Sequence, residues 1–372
     1  MFHHIFSLLG DLLNEAAKAA KAAESRPPSV RPMNSTARAT PTQPQPPTDF
    51  SDLPQAPART VQAVNVPGKN AILPEAYIDR TDLTEFTVPD GVRTIGYNAF
   101  RNCSALQRIT LPDTLEEIGN GAFQDCRSLT EIHIPDSVKK IGNHAFSKCS
   151  QLKSFRFPKG MTGKRVEVGM FYDCTSLETV ELPERLSGLF ENVFPNCECL
   201  RNVTLPEGIS EIGSWTFQDC GLIEEIKIPS TVSVIQYKAF LGSGLREIFI
   251  PDNVKIIDIY RTFASCKNLQ RIRLPIGVQF RHVFHDRDED GGVGTCFADC
   301  DALKTVYLGT RQFELEGKLN DDSLLMMYME LAADGDQTAA VIVRKDQERA
   351  MQLLDLLGND DLRSRLKANG IA

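Results

Sequence analysis

At 372 residues the chain has the length of two or three ordinary domains, but its formal net charge of −8 excludes nucleic acid as a main partner. Phosphate binding needs a basic face, which this composition does not supply. No apolar run reaches the roughly eighteen residues of a membrane span, so a transmembrane segment is excluded as well.

Residues 1–25 read as an amphipathic helix, with Phe2, Ile5, Phe6, Leu9, Leu12 and Leu13 at helical spacing before an alanine-rich second half. Such a helix can pack on a partner, on a second copy, giving self-association, or on its own array. Asp11 interrupts the apolar run and no Lys or Arg precedes Lys18, which argues against a secretory signal. Residues 26–60 follow as a linker, because the nine prolines between 26 and 59, set among Ser, Thr, Gln and Ala, cannot bury enough apolar surface to order themselves.

From residue 61 to residue 310 one pattern returns about every 23 residues. Leu106–Cys126 reads LQRITLPDTLEEIGNGAFQDC, and Leu129–Cys149 reads LTEIHIPDSVKKIGNHAFSKC. A period in the low twenties with leucine or isoleucine at set places marks a solenoid. Residues 61–82, with Tyr77 near the phenylalanine place, read as a degenerate first coil that caps the array. Each regular coil opens on apolar-x-apolar, which puts two side chains on one face of a short strand. Strands are expected at Phe86–Val88, Ile109–Leu111, Ile132–Ile134, Phe155–Phe157, Val180–Leu182, Val203–Leu205, Ile226–Ile228, Ile248–Ile250, Ile272–Leu274 and Val306–Leu308. The proline after most of them lacks an N–H and ends the ladder. Gly96, Gly119, Gly142 and Gly213 follow an isoleucine, where a bend or a positive φ is expected.

Eight of the ten cysteines are one repeat position: Cys103, Cys126, Cys149, Cys174, Cys197, Cys220, Cys266 and Cys300. Ser243 stands near that position in the coil between Cys220 and Cys266. The expectation is a reduced, buried ladder rather than disulfides. A single coil cannot offset the roughly 1–2 kcal/mol of backbone entropy per residue, so coils must stack and the ends must be capped.

The run I-P-x-x-V-x-x-I-G-x-x-A-F-x-x-C-x-x-L resembles the BspA-like leucine-rich repeat family, known from bacterial surface proteins and some protozoa. The resemblance implies a β-rich solenoid, a curved array of short parallel strands used to bind other molecules, and no enzyme.

In each strand the residue between the two core positions points outward. That column reads Thr87, Thr110, His133, Arg156, Glu181, Thr204, Lys227, Phe249, Arg273 and Tyr307, and two residues earlier lie Glu247, Arg271 and Thr305 in the last three coils. Aromatic side chains beside arginine have the composition of a binding hot spot, so Phe249, Arg271, Arg273 and Tyr307 are the candidate partner-binding residues. Alternatively, Phe249 and Tyr307 fill gaps against the C-terminal tail.

Between Pro275 and Phe297 the chain takes 22 residues where regular coils take 11. Asp286, Asp288, Asp290 and Gly291 open like a calcium loop, but Phe297 stands where the twelfth-position Glu should be. His282, His285, Cys296 and Cys300 have zinc-like spacing, yet Cys300 is a ladder cysteine and Cys296 takes the place of Ala99 and Ala122. The leading reading of 282–295 is an acidic loop, with calcium and zinc as alternatives and no cofactor or metal assigned.

Residues 311–372 turn helical. Asp321 or Asp322 is expected to cap one helix, Thr338–Leu357 forms another that ends at Gly358, and Asp360 or Asp361 opens a short turn through Leu366. This segment reads as a cap on the last coil, or else as a separate binding module. The chain carries no phosphate-cradling glycine loop, no G-x-S-x-G and no H-E-x-x-H, so an enzyme is not expected. The function expected is a non-catalytic scaffold that binds a protein partner through the outward strand face, with a cytoplasmic location. The alternative is a surface adhesin for protein or glycan.

Overall fold

The computed structural model describes residues 70–161, 163–189, 191–281, 293–315 and 317–371. The expected N-terminal helix, the linker, residues 61–69 of the first coil, and the 282–292 part of the acidic insertion lie outside the described residues. Those described form a parallel-strand solenoid of about nine turns, followed by helices.

The outward strands pair in three groups. Glu85–Thr87 pairs with Arg108–Thr110, and Ser154–Arg156 pairs with Thr179–Glu181 and then Asn202–Val203. Glu247–Phe249, Arg271–Leu274 and Thr305–Leu308 run parallel, and Arg311–Glu314 adds an antiparallel strand at the end. Two expected strands are corrected: Ile132–Ile134 and Ile226–Ile228 keep the in-out pattern but form no ladder. Side-chain alternation needs only an extended chain, whereas pairing needs the neighbouring coil at hydrogen-bonding distance.

A second ladder runs along the other side of each coil. Its two-residue strands include Ala71–Ile72, Thr94–Ile95, Glu117–Ile118 and Lys140–Ile141, then Glu211–Ile212, Val234–Ile235, Ile256–Ile257 and Gln279–Phe280. Gly96, Gly119 and Gly142 follow three of these strands without a positive φ. Their cause is close approach: a Cβ on Gly119 would stand 2.6 Å from the Tyr97 nitrogen, and one on Gly96 2.4 Å from the Pro74 nitrogen. The left-handed residues flank the stacked phenylalanines from Phe100 to Phe263 instead, as Asn98 and Asn102 flank Phe100, and Gly121 and Asp125 flank Phe123. They turn the chain so that the N–H of Phe100 reaches the carbonyl of Ala122 in the next coil, at 2.8 Å.

The interior is a single stack. Tyr77 lies on Phe100 at 5.0 Å between ring centroids, and Phe100, Phe123 and Phe146 follow at 5.4 Å steps. The stack continues through Phe171, Phe194, Phe217, Phe240 and Phe263 to Phe297. Its widest step, 6.1 Å from Phe146 to Phe171, falls in the coil that carries the two extra residues between Cys149 and Cys174. Each ring pair contributes about 0.5–1.5 kcal/mol beyond its burial.

All ten cysteines are free thiols. Along the ladder each Sγ donates to the carbonyl of the preceding coil's stack residue: Cys103 to Tyr77 at 3.0 Å, Cys126 to Phe100 at 3.1 Å, Cys220 to Phe194 at 3.2 Å. A small apolar side chain with a weak donor therefore answers a buried carbonyl in each turn that carries the cysteine, whereas the Ser243 hydroxyl lies 3.3 Å from the Cys266 sulfur. Burial pushes the Cys103 thiol up to about 12, and raises Cys126, Cys149, Cys174, Cys197, Cys220 and Cys296 as well. Cys300 is raised first by its hydrogen bond with Cys266 and then by burial.

At the C-terminal end α1 (Val293–Cys296) precedes the last coil, and four helices follow: α2 (Asp321–Ala333), α3 (Gln337–Lys345), α4 (Gln347–Leu357) and α5 (Asp360–Ala368). The expected caps shift by a residue or two. Asn320, not Asp321 or Asp322, caps α2 in a reciprocal box with Ser323, while Asp336 caps α3 and Asn359 caps α5. The expected Thr338–Leu357 helix is broken at Asp346, and Gly358 ends α4 at φ 61° as expected. Helix α2 lies against the end of the array: the Tyr328 hydroxyl accepts from the Gly277 N–H at 3.3 Å, and Asp321 accepts from Val293. Leu324, Leu325, Met326, Met327 and Met329 join the same core as Phe313 and Leu308. These helices share one hydrophobic core with the last coil.

Candidate partner-binding face

The four-stranded group at the C-terminal end brings all four candidate residues onto one sheet. Phe249 stands opposite Arg273, Arg273 opposite Tyr307, and Tyr307 opposite Gln312 of the antiparallel strand. The neighbouring row runs Glu247, Arg271, Thr305 and Glu314. Strands lie about 4.8 Å apart, so the Phe249 and Tyr307 backbones stand roughly 10 Å apart with Arg273 between them.

The four differ in what they offer. Phe249 is 51 % exposed, a large apolar ring with one face open, and Tyr307 is half-buried. Arg271 is exposed and lies 3.8 Å from Glu247, an ion pair that water screens. Arg273 is held down instead. Its Nε donates to Gly309 O at 3.1 Å, one terminal nitrogen to Ile250 O at 2.7 Å, and the other to Asp252 at 2.6 Å. Its guanidinium is thus committed to two backbone carbonyls and Asp252, not a free anchor.

Gln312 completes the row and was not foreseen. Its signal is the turn at Gly309, φ 63°, where the repeat stops and alternating Arg-Gln-Phe-Glu follows. The same strand supplies Arg311, which packs on Phe313 and bonds to Asp334, while Arg365 reaches Glu330 at 3.3 Å. Burial raises the Glu330 carboxyl, and the two guanidinium groups oppose that shift. The edge strand and α2 are thereby pinned together beside the face.

The only tryptophan belongs to a different cluster, on the turn side. Trp215 meets Tyr237 edge-on at 4.4 Å, and the Lys238 ammonium sits 5.7 Å from the Trp215 ring and 5.1 Å from the Tyr260 ring. The lysine fills the space between those rings.

Of the zinc-like set, Cys296 and Cys300 are buried with Sγ turned toward the backbone carbonyls of Asp258 and Phe263. Phe297, at the twelfth calcium-loop position, is inside the ring stack. Among the described residues no three His, Cys, Asp or Glu side chains are grouped to hold a metal.

Stacked coils, an interior of phenylalanine and thiol columns, and an outward strand face define a leucine-rich repeat protein. The BspA type leucine rich repeat region matches residues 70–198 and 164–281, in six copies and over more than half of the chain, so the chain belongs to that family. It is similar to a leucine-rich repeat protein from Bacteroides ovatus: 29 % identity, TM-score 0.56, covering 64 % of this chain and 59 % of that one. The chain thus spans about three fifths of that relative's length. A leucine rich repeat protein of T. pallidum is 34 % identical over 41 % of this chain and 71 % of its own, with a TM-score of 0.38. A leucine rich cell surface protein of Faecalibacterium prausnitzii is 25 % identical over 64 % of this chain and 82 % of its own, with a TM-score of 0.35. No curated protein matches. The fold is a protein-interaction fold, and the proteins that carry it are generally non-enzymatic.

Proposed function

We propose that the chain is a non-catalytic interaction module that takes a protein partner on the C-terminal part of its strand face. The observation that carries this reading is Phe249, half exposed on a rigid sheet, in one row with Arg273 and Tyr307. An exposed aromatic ring carried on a paired strand loses little entropy when a partner covers it, which is how hot spots concentrate affinity. Arg271 beside the row adds a cation that can choose among partners.

Affinity capture with Phe249→Ala and Tyr307→Ala, with melting measured in parallel, tests the site. Loss of a specific partner at unchanged melting temperature supports it. Unchanged capture rejects it, and a large stability loss assigns the rings to packing.

BspA-like proteins are often found at the cell surface, which favours a second reading, an adhesin using the same face. No helix among the described residues is long and apolar enough to cross a membrane. Fractionation into cytosol and envelope separates the cytoplasmic scaffold from the adhesin.

A further inference from the structure

At the other end of the strand face the ladder opens. No backbone N–H or C=O of Glu131, Ile132 or His133 has a backbone partner among the described residues. Arg108–Thr110 is the end of one strand group and Ser154–Arg156 begins the next, so this coil stands between two sheets and belongs to neither. Beside the gap lies a shallow dish of about 200 Å³, lined by Gln107, Arg108, Ser128, Thr130, Glu131 and Gln151.

The lining has a definite chemistry. Two amides and two hydroxyls both give and accept hydrogen bonds, and no apolar side chain is among the six. Arg108 is partnered with Glu85 at 3.2 Å, whereas Glu131 has no cation within ion-pair distance among the described residues. The dish is shallow and open to solvent, with room for one small polar ring. A peptide side chain would find no apolar pocket here, and the hot-spot composition of a protein site is missing. A ring of hydroxyls finds acceptors and donors on every side, including the unpaired backbone of the open coil.

We propose that this dish is a saccharide subsite for a single neutral sugar unit, with the Glu131 carboxylate accepting from two adjacent hydroxyls. It is separate from the Phe249 face, more than four coils away along the array.

Saturation-transfer NMR on the full chain tests this with the methyl glycosides of glucose, galactose, mannose and N-acetylglucosamine at millimolar concentration. At least one should give a saturable signal that weakens at least tenfold in Glu131→Ala, the loss of the charge-assisted hydrogen bonds to one exposed carboxylate. Gln151→Ala should weaken it too, and Phe249→Ala should leave it intact. Melting temperatures of the variants should match the wild type, since both altered dish residues are exposed. No saturable signal with any of the four sugars overturns the assignment, as does wild-type binding by Glu131→Ala. Displacement of a bound glycoside by an oligoglutamate peptide would overturn it in favour of an anion site on Arg108.

Discussion

Between Glu85 and Glu181 several outward charges pair across coils: Arg108 meets Glu85 at 3.2 Å, and Arg156 meets Asp136 at 3.4 Å and Glu181 at 3.9 Å. Between Glu247 and Glu314 four strands run unbroken and set Phe249 and Tyr307 in register on either side of Arg273. Beneath both stretches the interior is the same, with rings stacked near 5.4 Å and thiols answering carbonyls. The inside fixes a coil and leaves its outer face free. That freedom lets one array carry a continuous aromatic sheet at one end and an open polar gap at the other.

If the two stretches share an interior, both should fail together at alkaline pH. Eight thiols are raised in the fold, while an unfolded thiol titrates near about 8.5. Above that value the unfolded chain releases protons that the folded chain keeps, so unfolding becomes easier as pH rises. Below it the contribution is complete. Each thiol gives about 1.4 kcal/mol per pH unit, on the order of 10 kcal/mol per unit for the set. Urea unfolding between pH 7 and 10 should show stability collapsing above about pH 8.5; equal stability at both ends of that range would mean the thiols reach water.

Next in size is the ring stack. Phe123→Ala and Phe240→Ala, one from each stretch, should each lower stability by about 3–5 kcal/mol. Denaturant midpoints that differ by more than a third of that loss would show that the interiors are not equivalent.

The exteriors should then separate. Phe249→Ala is expected to lower partner affinity by about 2 kcal/mol, roughly thirtyfold, while moving stability by no more than about 0.5 kcal/mol. Surface plasmon resonance with a captured partner reads the first, and calorimetry the second.

Two arginines sharpen the contrast at the small end. Arg273→Ala removes hydrogen bonds from the carbonyls of buried Ile250 and half-buried Gly309 and a pair with exposed Asp252, and should lower stability by about 1–3 kcal/mol. Arg108→Ala breaks an exposed pair and should change stability by less than about 1 kcal/mol, with the difference vanishing in high salt. Equal losses from both would mean that Arg273 is as free as Arg108.

Much of this was legible from one chain of letters. The recurrence of Phe100, Phe123 and Phe146 with Cys103, Cys126 and Cys149 reveals the coil and what lies inside it, because a buried position tolerates few side chains. The second ladder escaped because its strands are two residues long, as at Glu117–Ile118, too short to show alternation. The left-handed columns left a faint trace, Asn98, Asn102, Gly121 and Asp125, which are residues that accept positive φ. Trp215, Lys238 and Arg261 hold the same conformation and hide the pattern in later coils. For the candidate face, the sequence named the row but not the state of Arg273, whose acceptors come from the preceding coil (Ile250 and Asp252) and from the turn at Gly309.

The amino-acid order alone determined the repeat, the interior columns and the need for a cap, since each follows from which residues lose water and at what interval. Only the packed chain decided where neighbouring coils pair and where they part. Hydrogen bonds between coils depend on the distance between two backbones about 23 residues apart, and no local pattern of side chains sets that distance.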